Sequence, residues 1–381
     1  MKTNYKIKYF LKSMISVILI LCSGSVIVAQ TTFTVFTDDF NRGETISPIS
    51  AGGVPEMGWT SVTTSTGEGT GSKTQAALIP DATDDYAVRI YPANNTDLQT
   101  AGRTYAYGSL STYSTPFNAR LADNPGQVTW TFTFRTNRNT AFSGFDGSQY
   151  GMAVVLAANG SDFLTANGYA VILNRHASTS PKNAVSLVKF ASGLDLNSKM
   201  TTLTGPSPTE STDDLRVWFN VKVVYTPSTD TWQLYVRKQA TGSYADKGDP
   251  TTVNTLVGSA IVDNTYTGTT LSHCGFLFNH SAISSANVNS NTVYIDDFKV
   301  TVYDPNPVSS VTSQNSSGIK VFSDGNDIRI SGAKNSDCKI YSVSGQLVAS
   351  RLIHNDDEII TLSKGMYLVK VGDSRFKVLV K

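Results

Sequence analysis

Strict alternation of apolar and polar residues is the feature that most constrains how this 381-residue chain can fold. In residues 128–134, every second residue is Val, Trp or Phe, and the residues between them are all threonine. The alternation recurs in residues 217–225, and after the turn sequence Thr-Pro-Ser-Thr-Asp it returns on Trp232, Leu234 and Val236. Successive side chains of a β-strand point to opposite faces of a sheet. The pattern therefore predicts half-buried strands, two of which form a hairpin.

Residues 30–304 contain many further stretches of this kind and almost no helical period. Alternating β-branched and aromatic residues are separated there by clusters of Gly, Asn, Asp, Ser and Thr, which is typical of short strands joined by turns. Additional strands are predicted over residues 150–157, 168–174, 184–190, 272–279 and 292–302. A dozen or more strands in about 270 residues favour one large two-sheet jelly-roll sandwich over two small domains.

A change in composition separates this region from the end of the chain. Residues 305–318 are rich in Pro, Ser and Asn and have no apolar period, which predicts a linker. Seven short strand-like stretches then follow at even spacing. Residues 319–381 are therefore predicted to form a separate small Ig-like β-sandwich, and the fold class of the whole chain is predicted to be all-β.

The N-terminal residues 1–29 predict export. Four lysines precede an almost uninterrupted apolar run from Met14 to Cys22, and Ala29 stands at a suitable cleavage position. This order is that of a secretory signal peptide, and the apolar run is short for a membrane span. A lipid anchor on Cys22 is disfavoured because the residue before it, Leu21, is bulky. We expect no transmembrane segment after cleavage of the signal peptide.

The charge distribution argues against one class of partner. Without residues 1–29 the chain has 27 basic and 30 acidic residues, with 17 against 23 before Ser309 and 10 against 7 from there onward. Nucleic-acid binding needs a clustered basic face. A mildly acidic body followed by a basic tail does not provide one, so we expect no nucleic-acid partner.

Two cysteines remain after the signal peptide, Cys274 and Cys338. Cys274 stands in the sequence His-Cys-Gly-Phe-Leu-Phe, which indicates a buried strand and favours a packed free thiol. A disulfide between the two cysteines is the alternative in an oxidising compartment.

Three stretches of the tail have the sequences KIYSVSGQLV (residues 339–348), LSKGMYLVKV (residues 362–371) and FKVLVK (residues 376–381). They resemble the type A sorting domain of the type IX secretion system. The glycines of these stretches are placed at turns, where a positive φ is accessible to glycine. The motif residues are Gly345, Lys364, Gly365, Tyr367, Lys370, Lys377 and Lys381. The resemblance implies the type IX machinery as a partner, translocation across the outer membrane, removal of the tail, and release or attachment to surface lipopolysaccharide.

The body has the sequences WFNVKVVY at residues 218–225, TWQLYV at residues 231–236 and VYIDDFKV at residues 293–300. These stretches resemble concanavalin A-like and laminin-G-like sandwiches. The resemblance implies that the opening sequence FTDDF, residues 36–40, pairs with the closing strand, because the first and last strands of such sandwiches are neighbours. It implies a fold and not a chemistry.

Evidence for catalysis is weak in the sequence. Glycoside hydrolysis needs two carboxylates across the scissile bond, and related laminarinase-like enzymes carry them in a Glu-x-Asp-x-x-Glu strand that this chain lacks. The glutamates of the body are dispersed among loop sequences, at positions 44, 56, 68 and 210. A polysaccharide lyase would need a base and a residue that neutralises the substrate carboxylate. Arg175 and His176, with Tyr169 nearby, are the one compact group of this kind. The interpretation that we favour is that Arg175 and His176 form a polar strand end exposed to water.

Paired acidic residues occur in both terminal strands of the body, at Asp38 and Asp39 and at Asp296 and Asp297. Clustered carboxylates are ligands of Ca²⁺, and pairing of the terminal strands would bring these residues together. If Phe40 and its counterpart Phe298 point into the core, the first aspartate of each pair shares that face. The sequence therefore predicts a structural calcium site to which only some of the four contribute.

Aromatic residues are the candidates for ligand binding. Tyr105 and Tyr107 lie on one face of a predicted strand, and Trp59 and Trp218 fall outside the clearest core registers. Exposed aromatic rings stack on sugars, whereas buried ones only pack the sandwich. We interpret the chain as a secreted or cell-surface, non-catalytic protein that binds a polysaccharide or surface glycan. The alternatives are a glycan-degrading enzyme of the same fold and a protein-binding adhesin.

Overall fold

The computed structural model describes residues 31–42, 58–64, 74–80, 85–92, 100–111, 113, 116–138, 140–176, 182–207, 216–240, 243–282, 291–305, 318–372 and 374–380. These residues fall into two compact units. We call residues 31–305 the body and residues 318–380 the tail. The predicted signal peptide and the interior of the predicted linker lie outside the described residues. No helix among the described residues is long and apolar enough to cross a membrane.

The body consists of two antiparallel sheets. Its strands are β1 (Thr31–Asp38), β2 (Thr60–Thr63), β3 (Thr74–Pro80), β4 (Tyr86–Pro92), β5 (Gly102–Ser109), β6 (Val128–Thr136), β7 (Gly151–Ala158), β8 (Gly168–His176), β9 (Lys182–Phe190), β10 (Met200–Thr204), β11 (Trp218–Thr226), β12 (Thr231–Lys238), β13 (Ile261–Val262), β14 (His273–His280) and β15 (Val293–Asp304). The eight-stranded sheet has the order β13-β12-β11-β6-β15-β4-β3, with β1 also paired to β15. The seven-stranded sheet has the order β10-β9-β8-β7-β14-β5-β2.

The core of the body lies between these two sheets, and the alternating pattern explains it. The apolar residues of β6 are buried in it, and Trp130 stacks on Trp232 of β12 with ring centroids 5.9 Å apart. Strands β11 and β12 form the predicted hairpin. The all-β two-sheet sandwich predicted from the sequence is confirmed. Cys274 and Cys338 are both buried, and they form no disulfide with each other.

Strand β15 changes its neighbour halfway along its length. Its first residues pair with β4, and its last residues pair with β1. The change occurs at a bulge between Asp296 and Lys299, where Asp297 has a φ of 52°. A bulge inserts an extra residue and so reverses the alternation of faces. Phe298 consequently packs in the core, whereas Asp296 lies opposite Thr133 on the outer face of the sheet.

The outer face of the seven-stranded sheet is covered by the body's own chain. Residues 144–149, 159–166 and 191–199, which we call the covering segments, pack on this face and form a second apolar cluster with it. The members of this cluster are Tyr105, Phe145, Ala153, Val155, Ala158, Phe163, Ala166, Ala170, Ile172, Val188, Phe190, Leu194 and Leu277. The outer face of the seven-stranded sheet is therefore largely buried by the body's own chain.

Polar contacts hold the covering segments together. The Arg103 guanidinium on β5 donates to the carbonyl oxygens of Phe145 (3.3 Å) and Asp195 (2.6 Å), which lie on two different segments. Gly193 allows a further close approach, because a Cβ at this position would lie 2.0 Å from the carbonyl oxygen of Leu164. The positive φ of Gly193 also favours glycine.

The tail is a small sandwich of a three-stranded and a four-stranded sheet. Its strands are β16 (Lys320–Asp324), β17 (Asp327–Ser331), β18 (Asp337–Ser342), β19 (Leu347–Leu352), β20 (Asp357–Thr361), β21 (Gly365–Val371) and β22 (Ser374–Val380). The sheet orders are β16-β17-β20 and β19-β18-β21-β22. Fifteen buried residues, among them Ile340 and Val369, form a core separate from that of the body. The seven predicted strands and the small β-sandwich are confirmed.

Candidate functional site

Three of the four aromatic residues predicted to bind a ligand are buried, and two of these are the tryptophans. Trp59 is only 3% exposed, packs against Phe276 with ring centroids 4.8 Å apart, and donates from Nε1 to Asp38 Oδ2 (2.9 Å). Trp218 points away from the core, but it is covered by Tyr244 and donates to the carbonyl oxygen of that residue (3.2 Å). Neither ring offers a free face, so the prediction that they form an exposed platform is corrected. The sequence could not reveal that other parts of the chain cover them.

The other two aromatics lie on the outer face of β5 with different exposures. Tyr105 is buried under Phe163, and its hydroxyl donates to Asp162 Oδ1 (3.2 Å). Burial raises the pKa of Tyr105, and the Asp162 carboxylate raises it further. Tyr107 is half-buried, with its ring 5.8 Å from the ring of His273 at an interplanar angle of 74°. Of the pair, Tyr107 is the residue that remains accessible.

Half-buried residues surround Tyr107 where the covering segments leave the sheet open. We define the Tyr107 patch as Thr60, Val62, Tyr107, Ser109 and His273. Cross-strand pairing places Thr60 opposite Tyr107 and His273 opposite Ser109. Burial lowers the pKa of His273, so its ring is neutral at pH 7. The patch combines one aromatic ring with neutral hydrogen-bonding groups.

An exposed carboxylate lies next to this patch. Asp162 accepts hydrogen bonds from the amide of Leu164 (3.0 Å) and the hydroxyl of Thr165 (3.0 Å), besides the one from Tyr105. Partial burial opposes ionisation, but these three hydrogen bonds outweigh it and lower the pKa of Asp162. The carboxylate is therefore ionised at neutral pH and is held in a fixed orientation.

The four aspartates predicted to bind calcium are not brought together as expected. Asp38 lies on the core side of β1 and accepts hydrogen bonds from Arg42 Nη2 (2.6 and 2.8 Å), Trp59 Nε1 (2.9 Å) and the amide of Phe40 (2.9 Å). Asp296 lies on the opposite face of the sheet because of the bulge in β15. The expectation that Asp38 and Asp296 share a face was therefore wrong.

Asp296 has a cation of its own. Its Oδ2 atom accepts from Lys247 Nζ (2.5 Å), and the same ammonium group contacts Asp85. Burial raises the pKa of Asp296, and the nearby Asp297 raises it further while Lys247 opposes the shift. Burial would lower the pKa of Lys247, but the two carboxylates raise it. An ammonium group thus pairs with Asp296, one of the four aspartates that the sequence suggested for a metal ion.

The remaining two aspartates are less constrained. Asp39 is exposed, with Arg42 Nη1 3.8 Å from its carboxylate. Asp297 is half-buried and lines a cavity of about 290 Å³ together with Asp249 and Lys299. Among the described residues, no three His, Cys, Asp or Glu side chains are grouped so as to hold a metal ion. Any calcium ion here would depend on backbone carbonyls and water for most of its ligands.

The residues proposed for lyase chemistry are also separated. The Tyr169 ring is buried in the core against Trp232 (4.3 Å), and its hydroxyl donates to Asp263 Oδ1 (2.8 Å). Arg175 and His176 are at the other end of β8, roughly 20 Å away by the rise of a strand. Their side chains, and the four glutamates of the body, lie outside the described residues. Tyr169 therefore cannot act with them, which corrects the proposed grouping.

The predicted sorting residues take several roles in the tail. Gly345 lies in the turn between β18 and β19 with a φ of 82°, as predicted, whereas Gly365 begins strand β21 without a positive φ. Tyr367 is buried and donates to the carbonyl oxygen of Ser363 (2.8 Å). Lys364, Lys370 and Lys377 are exposed, and Lys381 lies outside the described residues.

Comparison with known proteins gives a match to one family, over residues 307–380, described as a domain of unknown function, DUF6383. The match covers the tail and not the body. No curated protein matches the sequence.

Several solved structures are similar to the chain at low identity. They include a lectin from Bauhinia forficata in complex with GalNAc (14% identity, TM-score 0.34, 72% of this chain and 100% of the lectin). They also include the catalytic domain of a GH131 beta-glucanase from Podospora anserina (13%, 0.30, 59% and 78%) and the alginate lyase vAL-1 from Chlorella virus (12%, 0.32, 60% and 90%). At these values the similarities indicate neither a ligand nor an activity for this chain.

Proposed function

We propose that the protein is an exported, non-catalytic binding protein whose body binds a glycan through the Tyr107 patch. The observation that carries the proposal is the half-buried Tyr107 ring, which lies beside the covering segments near the β2 margin of the seven-stranded sheet. An aromatic ring of this kind can stack on the apolar face of a sugar. The neutral His273 ring and the hydroxyls of Thr60 and Ser109 can hydrogen-bond the sugar's edge.

The charge near the patch supports a neutral glycan as the ligand. The ionised Asp162 carboxylate accepts hydrogen bonds from sugar hydroxyls, and such charge-assisted bonds are stronger than neutral ones. The same carboxylate repels the carboxylates of a polyuronate. Since burial lowers the pKa of His273 and hydrogen bonds lower that of Asp162, we expect binding to change little between pH 7 and 8.

A glycan array probed with the protein tests the proposal. We expect binding to a neutral glycan and at least a tenfold loss of affinity in Tyr107→Ala, because the stacking surface is removed. Tyr235→Ala is the matched control, since Tyr235 is a half-buried tyrosine on the eight-stranded sheet. Absence of binding, or equal affinities of Tyr107→Ala and the wild type, would contradict the proposed site.

The same glycans decide between binding and degradation. Prolonged incubation is followed by measurement of new reducing ends and of unsaturated products. We expect neither product. Product that appears with the wild type and disappears with His176→Ala would favour a lyase.

We also propose the route of export. Residues 1–29 would direct the chain through the Sec pathway, and the tail would direct it across the outer membrane by type IX secretion. The protein would then be released or attached to the cell surface. The supporting observations are the signal-like N-terminus and the resemblance of the tail. Intact-mass measurement of the exported protein tests this route, and finding Lys381 on all exported molecules would contradict it.

A further inference from the structure

The four-stranded sheet of the tail has one buried and one exposed face. The residues of its buried face include Cys338, Ile340, Val369, Val371, Phe376 and Val378. The alternate residues of the same strands point outward. We define the tail face as Lys339, Tyr341, Leu347, Leu368, Lys370, Arg375 and Lys377.

Three cations of the tail face lie side by side on neighbouring strands. Lys370 on β21 is paired with Lys339 of β18 on one side and with Arg375 of β22 on the other. Like charges directly opposite each other destabilise a sheet. Among the described residues, no carboxylate forms an ion pair with any of the three, and the nearest acidic residue on this face is Asp337 at the end of β18.

Two arginines of the tail outside the tail face have carboxylate partners. Arg329 pairs with Asp324 (3.0 Å) and Asp357 (3.4 Å), and Arg351 lies 3.7 Å from Glu358. The carboxylates of Asp324, Asp357 and Glu358 are thus paired with cations outside the tail face. Among the described residues, the three cations of the row have no such partner, so a surface that supplies carboxylates would relieve their mutual repulsion.

An apolar row lies next to the cations. Tyr341 on β18 is paired with Leu347 on one side and Leu368 on the other, and these leucines are 50% and 48% exposed. A shallow cavity of about 390 Å³ lies between Tyr341, Leu368 and the side chains of Arg375 and Lys377. Exposed apolar surface next to one sign of charge is typical of an interaction site.

We infer that the tail face docks onto an acidic surface of a partner protein, with carboxylates opposite the cation row and apolar side chains opposite the leucines. Tyr341 on the inner strand β18 and Arg375 on the edge strand β22 are of residue types enriched at protein interfaces. The face measures roughly 19 by 16 Å from strand spacing and rise. An area this small corresponds to a transient contact. The inference is independent of the glycan site and of the export route.

The small apolar area of the tail face favours a protein over a lipid surface. Its apolar side chains are Tyr341, Leu347 and Leu368, and the two leucines are only about half exposed. Membrane binding instead needs apolar residues buried about 5–10 Å into the interface. A protein surface can offer recessed carboxylates and protruding apolar groups at the same time.

The binding experiment uses the full chain and two probes. One probe is a synthetic peptide of alternating glutamate and leucine, and the other is phosphatidylglycerol vesicles. We expect salt-sensitive peptide binding that falls at least tenfold in the double variant Lys339→Glu/Lys370→Glu. The matched control is Lys320→Glu/Lys334→Glu, which reverses two exposed lysines of the tail outside the tail face. Equal loss in both variants, or binding to the vesicles alone, would overturn the inference.

A second measurement separates docking from folding. The single variant Lys370→Glu places an acid between two cations, so hydrogen exchange in β18, β21 and β22 should slow while peptide binding weakens. A purely structural role for Lys370 would move stability and binding in the same direction. Faster exchange together with weaker binding would therefore contradict the inference.

Crosslinking in cells is a third test. A photo-crosslinking residue at Leu368 should give a protein adduct that is lost in Lys339→Glu/Lys370→Glu. Lipid adducts alone would overturn the inference.

Discussion

The outer face of the seven-stranded sheet and the tail face differ in whether their apolar residues are covered by other parts of the chain. The body folds three covering segments over its sheet, and the Tyr107 patch lies half-buried at one margin of that sheet. The tail has no segment of this kind among its described residues, and its sheet presents leucines and cations to solvent. Among the described residues, six large hydrophobic side chains are exposed in the tail and three in the much longer body. The outer face of the seven-stranded sheet is thus mostly covered, whereas the tail face is exposed.

The strongest test of this comparison removes a side chain from each face. Phe163→Ala deletes a ring that is fully buried between a covering segment and the sheet, and we expect a loss of about 3–5 kcal/mol in the free energy of unfolding of the body. Leu368→Ala on the tail face should change the stability of the tail by less than about 0.5 kcal/mol. Denaturant unfolding measures both, and similar losses in the two variants would contradict the distinction.

The outer face of the eight-stranded sheet provides an intermediate case, because part of it is covered by a charged residue, Lys247, which pairs with Asp296. Lys247→Met leaves the buried Asp296 carboxylate without its counter-ion, and we expect a loss of about 3 kcal/mol at pH 7. Burial raises the pKa of Asp296 in the folded state above its unfolded value. Stability should therefore be highest below about pH 4 and fall as the pH rises through the raised pKa, more steeply than in the wild type.

Denaturant unfolding of Lys247→Met between pH 4 and 8 measures this effect. The double variant Lys247→Met/Asp296→Leu is the control, since removal of both charges should restore most of the stability. A flat pH profile for the single variant would show that Lys247 does not compensate Asp296.

The smallest effect concerns calcium at the margin of the same sheet. Asp39 and Asp297 remain the predicted ligands, because Asp38 and Asp296 are held by Arg42 and Lys247. A site filled at ten times its Kd stabilises the body by about 1.4 kcal/mol. We expect EDTA to lower the Tm slightly and Ca²⁺ to restore it, with no response in Asp39→Asn/Asp297→Asn. A Tm that does not change on addition of EDTA would contradict the predicted calcium site.

Much of the fold follows from local sequence pattern. The alternation in residues 128–134 and 217–225 correctly places β6 and β11 and their core faces. The outer faces of both strands are also largely buried, so the prediction of half-buried strands was wrong. The even spacing of short strands likewise predicts the tail sandwich, because such signals are local.

The candidate site was harder to predict, because it depends on contacts between distant segments. Nothing local marks Phe163 as the residue that buries Tyr105, or the chain around Tyr244 as the cover of Trp218. The bulge at Asp297 places Asp296 on the opposite face of the sheet from Phe298. No residue type in the sequence predicts this bulge. Tyr107 was a candidate from the strand pattern, but its partner His273 lies on β14, far along the chain.

The pairing of β1 with β15 also has a consequence for the timing of folding. Thr31 is the partner of Asp304, so the first and last residues of the body meet in one sheet. Contacts between residues so far apart in sequence are slow to form, because a long loop must close first. The eight-stranded sheet cannot be completed until almost the whole body has been synthesised. The body of a nascent chain therefore stays incompletely folded until its last strand has been synthesised. During that time it remains a suitable substrate for any pathway that transports unfolded chains.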